Sequence, residues 1–352
     1  MPEEEKKPEM DQAVKDTLEL LNASKNRKEA LRGMAEEISL DDIEMDDHPT
    51  VAGQRSSLAA LLKAPVFQVT CAQSGYTAKV SALVYKDIVD ITNSSLSNYE
   101  SRKQIYKTIY SKIAGYSADD WRPTFDEWCK FTSLGDVETL FYGLYCATFP
   151  DSSTVKYECP FCGSANVINV NNNSLIHTSY DKQEMMALSD RISREASTVD
   201  KIKEFSSVVK SGLNPGNTKN VRLPDSKMVF TLRLPSLATT LDLLRTFDES
   251  ALAKESNDSI NVFLTTAELR IPNASGKYSK VDSPKDVMHI IGMLSVNDFA
   301  ALKAIVMKML EDKHITYKIE DQICSKCGKK VAEIPLDIES LLFFQISEKQ
   351  LS

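Results

Sequence analysis

The sequence is poor in the motifs that most enzymes and membrane proteins need. It has only 12 glycines in 352 residues, and none of them falls in a GxGxxG or GxxxxGK[ST] pattern, so a phosphate-binding glycine loop is not expected. No window approaches the roughly 20 apolar residues of a membrane span, and the acidic N-terminus lacks the apolar run of a signal peptide. We therefore predict a protein made in the cytoplasm that contacts no membrane.

Catalytic side-chain patterns are also scarce. The chain has four histidines, and none belongs to an HExxH or triad pattern: His48, His177, His289 and His314. A general base or a nucleophile needs a partner that orients it, and the sequence shows no such constellation. We therefore predict that the protein is not an enzyme.

A basic excess is absent as well. The formal net charge is −8, and the acidic residues concentrate in the first 50 positions, which leaves the rest of the chain near neutral. Proteins that bind nucleic acid usually carry clustered lysine and arginine, because phosphate contacts dominate their affinity. The charge pattern predicts no nucleic-acid partner.

Hydrophobic periodicity predicts an α+β fold in which a β-hairpin and helices come first and a large α+β insert interrupts a split zinc ribbon. The predicted parts are an acidic, flexible or partner-binding arm (1–55), a hairpin-plus-helices domain (56–150), the first half of the zinc ribbon (151–177), an insert subdomain (178–312), and the second ribbon half with a C-terminal tail (313–352).

Local signals place the elements within these parts. Alternating residues on both sides of Ser74-Gly75 predict the first hairpin, and a second hairpin turns at Pro224-Asp225. Helices are predicted at 99–115, at 123–133 with Pro123 in the first turn, at 136–149 and near 181–210. Further helices begin after three serine caps, which are Ser236, Ser283 and Ser295.

Two Cys-x-x-Cys-Gly knuckles are the main functional signal. The first holds Cys159 and Cys162, the second holds Cys324 and Cys327, and strand-like segments flank both. One knuckle supplies two ligands, whereas structural zinc takes four in a tetrahedron. The sequence therefore predicts one structural Zn²⁺ per chain, bound by all four thiolates. Because no ligand position stays open, no zinc chemistry is expected.

Two other hypotheses use the same cysteines. Each knuckle could be a separate redox motif, although thioredoxin-type sites lie between a strand and a helix. An iron–sulfur cluster also binds four thiolates. The remaining cysteines, Cys71, Cys129 and Cys146, have apolar neighbours and are predicted to be small buried side chains. His314, close in sequence to the second knuckle, is a candidate to support the metal ligands.

The order of several short sequence segments resembles that of a known protein family. A strand pair "PVFQVTCAQSGYTAKVSALVY" precedes a helix phrase "DVETLFYGLY", which leads into "VKYECPFCG"; "VFTLRLPS" then precedes the last knuckle "QICSKCG" and a terminal Phe343-Phe344 pair. In this respect the chain, over about 64–346, resembles the baseplate hub and baseplate assembly proteins of T4-like contractile-tailed bacteriophages. It departs from them in its long acidic arm and large insert.

The resemblance implies structural or assembly work without catalysis. It implies a place in the tail baseplate of the virion and contacts with other baseplate and tail proteins, for which the N-terminal arm is a candidate surface. An alternative function is a zinc-ribbon factor associated with nucleic acid or transcription. Against it, the lysines near the knuckles (Lys156, Lys326, Lys329, Lys330) are mixed with acidic residues.

Overall fold

The elements follow the two periodicities of the sequence, with strands where residues alternate and helices where apolar residues recur every three or four positions. The computed structural model describes residues 65–92, 98–116, 122–172, 175–178, 182–196, 199–211 and 218–350. The predicted arm, 1–55, lies outside the described residues. Within the described part the chain mixes helices and strands, which confirms the predicted α+β class.

The described strands, in chain order, are β1 Val66–Cys71, β2 Tyr76–Ser81, β3 Ile113–Tyr116, β4 Ser152–Glu158, β5 Ala165–Asn171, β6 Ile176–Thr178, β7 Lys219–Arg222, β8 Val229–Leu232, β9 Thr266–Pro272, β10 Tyr278–Val281, β11 Ile315–Ile323 and β12 Lys330–Pro335.

The described α-helices, in chain order, are α1 Tyr85–Thr92, α2 Asn98–Lys112, α3 Phe125–Phe131, α4 Val137–Thr148, α5 Lys182–Ala196, α6 Val199–Ser211, α7 Leu237–Thr246, α8 Glu249–Leu252, α9 Asn257–Thr265, α10 Pro284–Gly292, α11 Val296–Glu311 and α12 Ile338–Gln350. No single helix among them has the length and apolar composition to cross a bilayer, and α10 and α11 meet that criterion only as a pair bent by 117°.

Four antiparallel sheets organise these strands, in the orders β1-β2-β3, β10-β9-β8-β7, β12-β11-β6 and β4-β5. The third sheet matters most for the site. Strand β6, which follows the hairpin β4–β5 in sequence, pairs with β11 from Ile315 opposite Thr178 to Tyr317 opposite Ile176. This pairing returns the chain to the neighbourhood of the first hairpin after an excursion of more than a hundred residues.

Helix α4 forms the centre of the main core. Ten of its residues are buried, from Val137 to Ala147, and they include most of the helix predicted at 136–149. Gly143 lets it approach the first sheet closely, since a Cβ there would lie 3.0 Å from Val69. The rings of Tyr142 and Tyr317 stand 4.5 Å apart and join the helix to β11. The same core takes side chains from both knuckle hairpins, so both halves of the ribbon pack on it. We call the elements around this core the main body.

A buried carboxylate fixes the start of α4. Asp136 is 1% exposed and accepts hydrogen bonds from the backbone N–H groups of Gln73 and Ser74, at 3.2 and 2.6 Å. Burial raises the pKa of Asp136 to about 6 despite these bonds. The Gln73 Nε2 then donates to the carbonyls of Leu310 and Asp312. This network ties the β1–β2 turn to α4 and to the end of α11.

Part of the predicted insert has a core of its own. Strands β7–β9 and helices α9–α11 enclose a second apolar cluster that includes Phe230, Leu269 and Leu302. In contrast, α5, α6 and α7 place Leu188, Phe205 and other side chains in the main core. The insert therefore contributes to two cores, and its boundaries at 178 and 312 stay predictions.

Several predicted element ends are wrong. The helix predicted at 99–115 ends at Lys112, because Ile113 begins β3 and pairs with Val80. Pro123 precedes α3 instead of lying in its first turn, since Thr124 is the N-cap and accepts from the backbone N–H of Glu127. The single helix near 181–210 is two helices, α5 and α6.

The predicted caps and the second hairpin are confirmed. Ser236, Ser283 and Ser295 are the N-caps of α7, α10 and α11, and each side chain accepts from the backbone N–H three residues on. Strands β7 and β8 pair in the register that the predicted turn requires, with Arg222 opposite Val229.

Candidate metal centre

The first knuckle is the turn between β4 and β5. Its backbone closes on itself, because Gly163 N donates to Cys159 O at 2.8 Å and Cys159 N donates to Ser164 O at 2.9 Å. Gly163 has φ +66°, a conformation that glycine adopts without a steric penalty. The turn aims the sulfurs of Cys159 and Cys162 to one side.

The second knuckle repeats this geometry between β11 and β12. Gly328 N donates to Cys324 O at 3.0 Å, and Cys324 N donates to Lys329 O at 3.0 Å. Gly328 has φ +67°. Two hairpins distant in sequence thus present two cysteines each in the same local conformation.

The four sulfurs converge on one point. All four Sγ atoms lie within 4.8 Å of one another, with Cys159 Sγ 3.7 Å from Cys327 Sγ and Cys162 Sγ 3.7 Å from Cys324 Sγ. A tetrahedron of sulfurs at the zinc–sulfur distance of about 2.3 Å has edges of about 3.8 Å. The donor set and its spacing therefore fit one four-coordinate metal ion, and the four cysteines could hold it.

At Cys162 and Cys324, polar groups favour the thiolate form that a metal needs. At Cys327, despite a backbone hydrogen bond from Lys329, desolvation and the neighbouring thiols raise the pKa to about 11. The hydroxyl of Ser164 lies 3.0 Å from Cys162 Sγ and 3.3 Å from Cys324 Sγ. Its hydrogen bond is the main cause that lowers the pKa of both thiols, that of Cys324 to about 5. Asn166 adds a weaker contact, with Nδ2 3.6 Å from Cys324 Sγ.

Asn166 also joins the two knuckles without any metal. It is 5% exposed on β5, and its Oδ1 accepts from both the backbone N–H and the hydroxyl of Ser325, each at 2.9 Å. Its Nδ2 donates to Ser164 O at 2.9 Å. One buried amide thereby spans both hairpins and fixes their spacing.

Burial differs among the ligands. Cys159 and Cys324 are each 1% exposed, whereas Cys162 is exposed and Cys327 is intermediate. The centre therefore sits at the surface, with one cysteine of each knuckle turned inward against the main core. The inner pair anchors the site and the outer pair closes it toward solvent.

The other predicted residues lie elsewhere. Cys71, Cys129 and Cys146 are buried in the main core, as predicted, and burial raises the pKa of Cys129 to about 12 and of Cys146 to about 11. His314 does not support the metal ligands. It precedes β11 at the end opposite Cys324, roughly 30 Å away along an extended strand, and it hydrogen-bonds the backbone of Gly135.

Sequence reasoning missed the polar residues that support the knuckles. Ser164, Asn166 and Ser325 carry no motif of their own. Their positions offered one signal: Ser164 directly follows the Cys-x-x-Cys-Gly, and Ser325 lies inside the second Cys-x-x-Cys. A polar side chain inside a knuckle is a candidate donor to thiolates, because their charge is stabilised by hydrogen bonds.

Comparison with known proteins gives no neighbour: no protein-family model, no curated protein and no solved structure matches this chain. The likeness to baseplate proteins therefore rests on its sequence phrases alone, and the centre on its own geometry.

Proposed function

We propose that this chain is a structural or assembly protein of a bacteriophage contractile-tail baseplate, and that one structural zinc joins its split ribbon. The observation that carries the proposal is the convergence of four thiolates from two hairpins, Cys159 and Cys162 with Cys324 and Cys327. The order of sequence phrases shared with baseplate proteins supplies the biological setting.

Zinc is the metal that we propose for this donor set. Four thiolates in a tetrahedron are typical of structural zinc and of iron–sulfur centres. The 3.7 Å sulfur spacings match a single ion, whereas a cluster of several irons separates its cysteines more widely. With four protein ligands the ion has no free position for a substrate, so its contribution is folding free energy.

A nucleic-acid role is the second candidate, favoured by one observation at the ribbon tip. Phe161 is 55% exposed, and Lys329 Nζ stands 5.1 Å from its ring centroid, an arrangement that suits a stacked base and a phosphate. The neighbouring Lys330 is neutralised, since it pairs with Asp321 at 2.9 Å. DNA retention that falls steeply with salt would favour this candidate over the first.

Genetic complementation tests the baseplate role. In the virus that carries this gene, deletion is expected to give heads without functional tails, because contractile tails assemble on their baseplate. A plasmid copy of the wild type should restore tails, whereas Cys159→Ser should not. Normal tails in the deletion would contradict the role. Normal tails with Cys159→Ser alone would separate the metal from the function.

A further inference from the structure

A large cleft opens on the main body, far from the metal centre. Its volume is about 810 Å³, and it lies between α2, the start of α4, α7 and the start of α12. A second cleft of about 510 Å³ shares Asn98 and Leu244 with it. The two clefts adjoin at these residues and are together called the groove; their combined size suits a segment of polypeptide.

The walls of the large cleft are mainly apolar. Leu134, Val137, Phe141, Leu244 and Leu336 line it, and Val137 and Phe141 belong to the main core. A side chain that enters this cleft would bury its aliphatic part against a rigid surface. Such a surface suits the stem of a lysine or arginine as well as a leucine.

The charged groups of the cleft leave a negative balance. The guanidinium of Arg102 is neutralised by both oxygens of Glu339, at 2.9 and 3.0 Å. Asp337 and Glu138 add two further carboxylates. His314 adds no positive charge near neutral pH, because burial lowers the pKa of its imidazole.

Glu138 is the carboxylate placed to receive a cation. It is half-buried at the first turn of α4, on the lining of the cleft, and accepts a hydrogen bond from the backbone N–H of Ile338. Burial raises its pKa to about 6, and Asp337 and Glu339 add to that effect. A carboxylate accepts up to four hydrogen bonds, so Glu138 has the capacity to bind an incoming ammonium or guanidinium group.

The adjoining cleft extends the same chemistry. Asp248 and Glu249 line it beside Leu244, while Arg245 is engaged with the hydroxyl of Tyr99 at 2.6 Å. Both clefts thus combine apolar lining with acidic groups. Their complement is a segment that carries apolar and basic side chains, such as a basic amphipathic helix.

We propose that this groove is a docking site for a basic, amphipathic segment of another protein, with a lysine or arginine of that segment bound by Glu138. The proposal is independent of the metal centre, which lies at the other end of β11. It assigns to the main body a partner surface of its own.

Fluorescence anisotropy with a labelled amphipathic peptide of leucine and lysine tests the proposal on the full chain. The wild type is expected to bind this probe and to leave a matched leucine–glutamate peptide unbound. Glu138→Gln should weaken binding about tenfold, which corresponds to about 1.4 kcal/mol, because the charge of the acceptor is lost. Glu184→Gln makes the same charge change on the exposed face of α5 and should leave binding unchanged.

A second variant keeps the test decisive if Glu138→Gln disturbs the fold. Leu244→Lys places a tethered cation in the groove and should also abolish binding, while metal content and melting temperature stay as in the wild type. Equal binding by wild type, Glu138→Gln and Glu184→Gln would overturn the proposal. Equal binding of both peptides, or of neither, would overturn it as well.

Discussion

The two knuckles have the same backbone conformation but differ in the strands that support them. Both close with the same pair of hydrogen bonds and a glycine at positive φ. The first belongs to a sheet of two strands, β4 and β5, whereas the second belongs to β11, which pairs with β12 on one side and β6 on the other. The first carries the side chains that reach across: the Ser164 hydroxyl lies 3.3 Å from Cys324 Sγ, and Asn166 Oδ1 accepts from the backbone N–H of Ser325 at 2.9 Å.

This difference teaches how a split site is built. The second hairpin pairs with β6 along the outer edge of β11, whereas the first has no further strand partner among the described strands. Both hairpins pack side chains into the main core, and their tips meet at the sulfurs and at one buried amide. A metal ion at the junction would therefore bind the two knuckle tips to each other, in addition to the packing of both hairpins on the main core. Substitutions in each knuckle can show whether the two knuckles bind one metal ion together or act separately.

Loss of one thiolate from either knuckle should have the largest effect. Cys159→Ser and Cys327→Ser each leave three thiolates, so both should lose the metal and melt at lower temperature by a similar amount. Structural zinc contributes on the order of 10 kcal/mol in small peptides, and the large apolar core should reduce the loss here to several kcal/mol. Thermal melts with metal content measured on the same samples check this.

The double variant provides the control for that comparison. Both substitutions act on one site, so together they should cost little more than either alone. If the two single variants differed sharply in melting temperature, and the two losses added in the double variant, the knuckles would be two separate sites.

Asn166→Ala should have the next largest effect. It removes both hydrogen bonds to Ser325, and at about 0.5–1.5 kcal/mol for each bond the cost should be about 1–3 kcal/mol. Ser325→Ala removes only the hydroxyl bond and should cost less than about 1 kcal/mol. Urea denaturation of the two variants measures the difference. An Asn166→Ala protein as stable as the wild type would mean that the amide does not join the knuckles.

Substituting the two glycines should test the equivalence of the backbones. Alanine at Gly163 or at Gly328 meets no atom within 4 Å, so the expected cost is the strain of a positive φ alone, about 1 kcal/mol. The two variants should lose the same stability within error and keep the metal. Unequal losses in chemical denaturation would show that the turns are strained differently.

The core cysteines should give the smallest change in metal binding. Cys71→Ala and Cys129→Ala remove buried sulfurs far from the centre, so they should retain full metal content and lose about 1 kcal/mol from packing. Metal loss in either variant would show that the core thiols contribute to the site.

The sequence was sufficient for the parts of the fold that depend on local pattern. The hairpin around Gly75, the serine caps and the strands beside each knuckle follow from neighbouring residues, and the structure has them. The helix end at Lys112 was missed because Ile113 fits both a helix and a strand, and its pairing with Val80 decides the outcome. The pairing of β6 with β11 was missed because β6 has three residues and its partner lies far away in sequence.

The site was predictable in its ligands and not in its surroundings. Cysteine spacing predicted which four sulfurs meet, because a tetrahedral ion needs two knuckles. The hydrogen bonds of Ser164 and Asn166 depend on how the two hairpins pack, which no local pattern encodes. Proximity in sequence misled in the case of His314, because an extended strand separates it from the knuckle that it precedes.

Metal content of the purified wild-type protein tests the shared site most directly. Four thiolates at one point imply one tightly held ion, so elemental analysis of protein never exposed to chelator should find about one equivalent of zinc per chain. A value near two would mean that each knuckle binds its own ion. A value near zero, with the fold intact, would contradict the metal centre altogether.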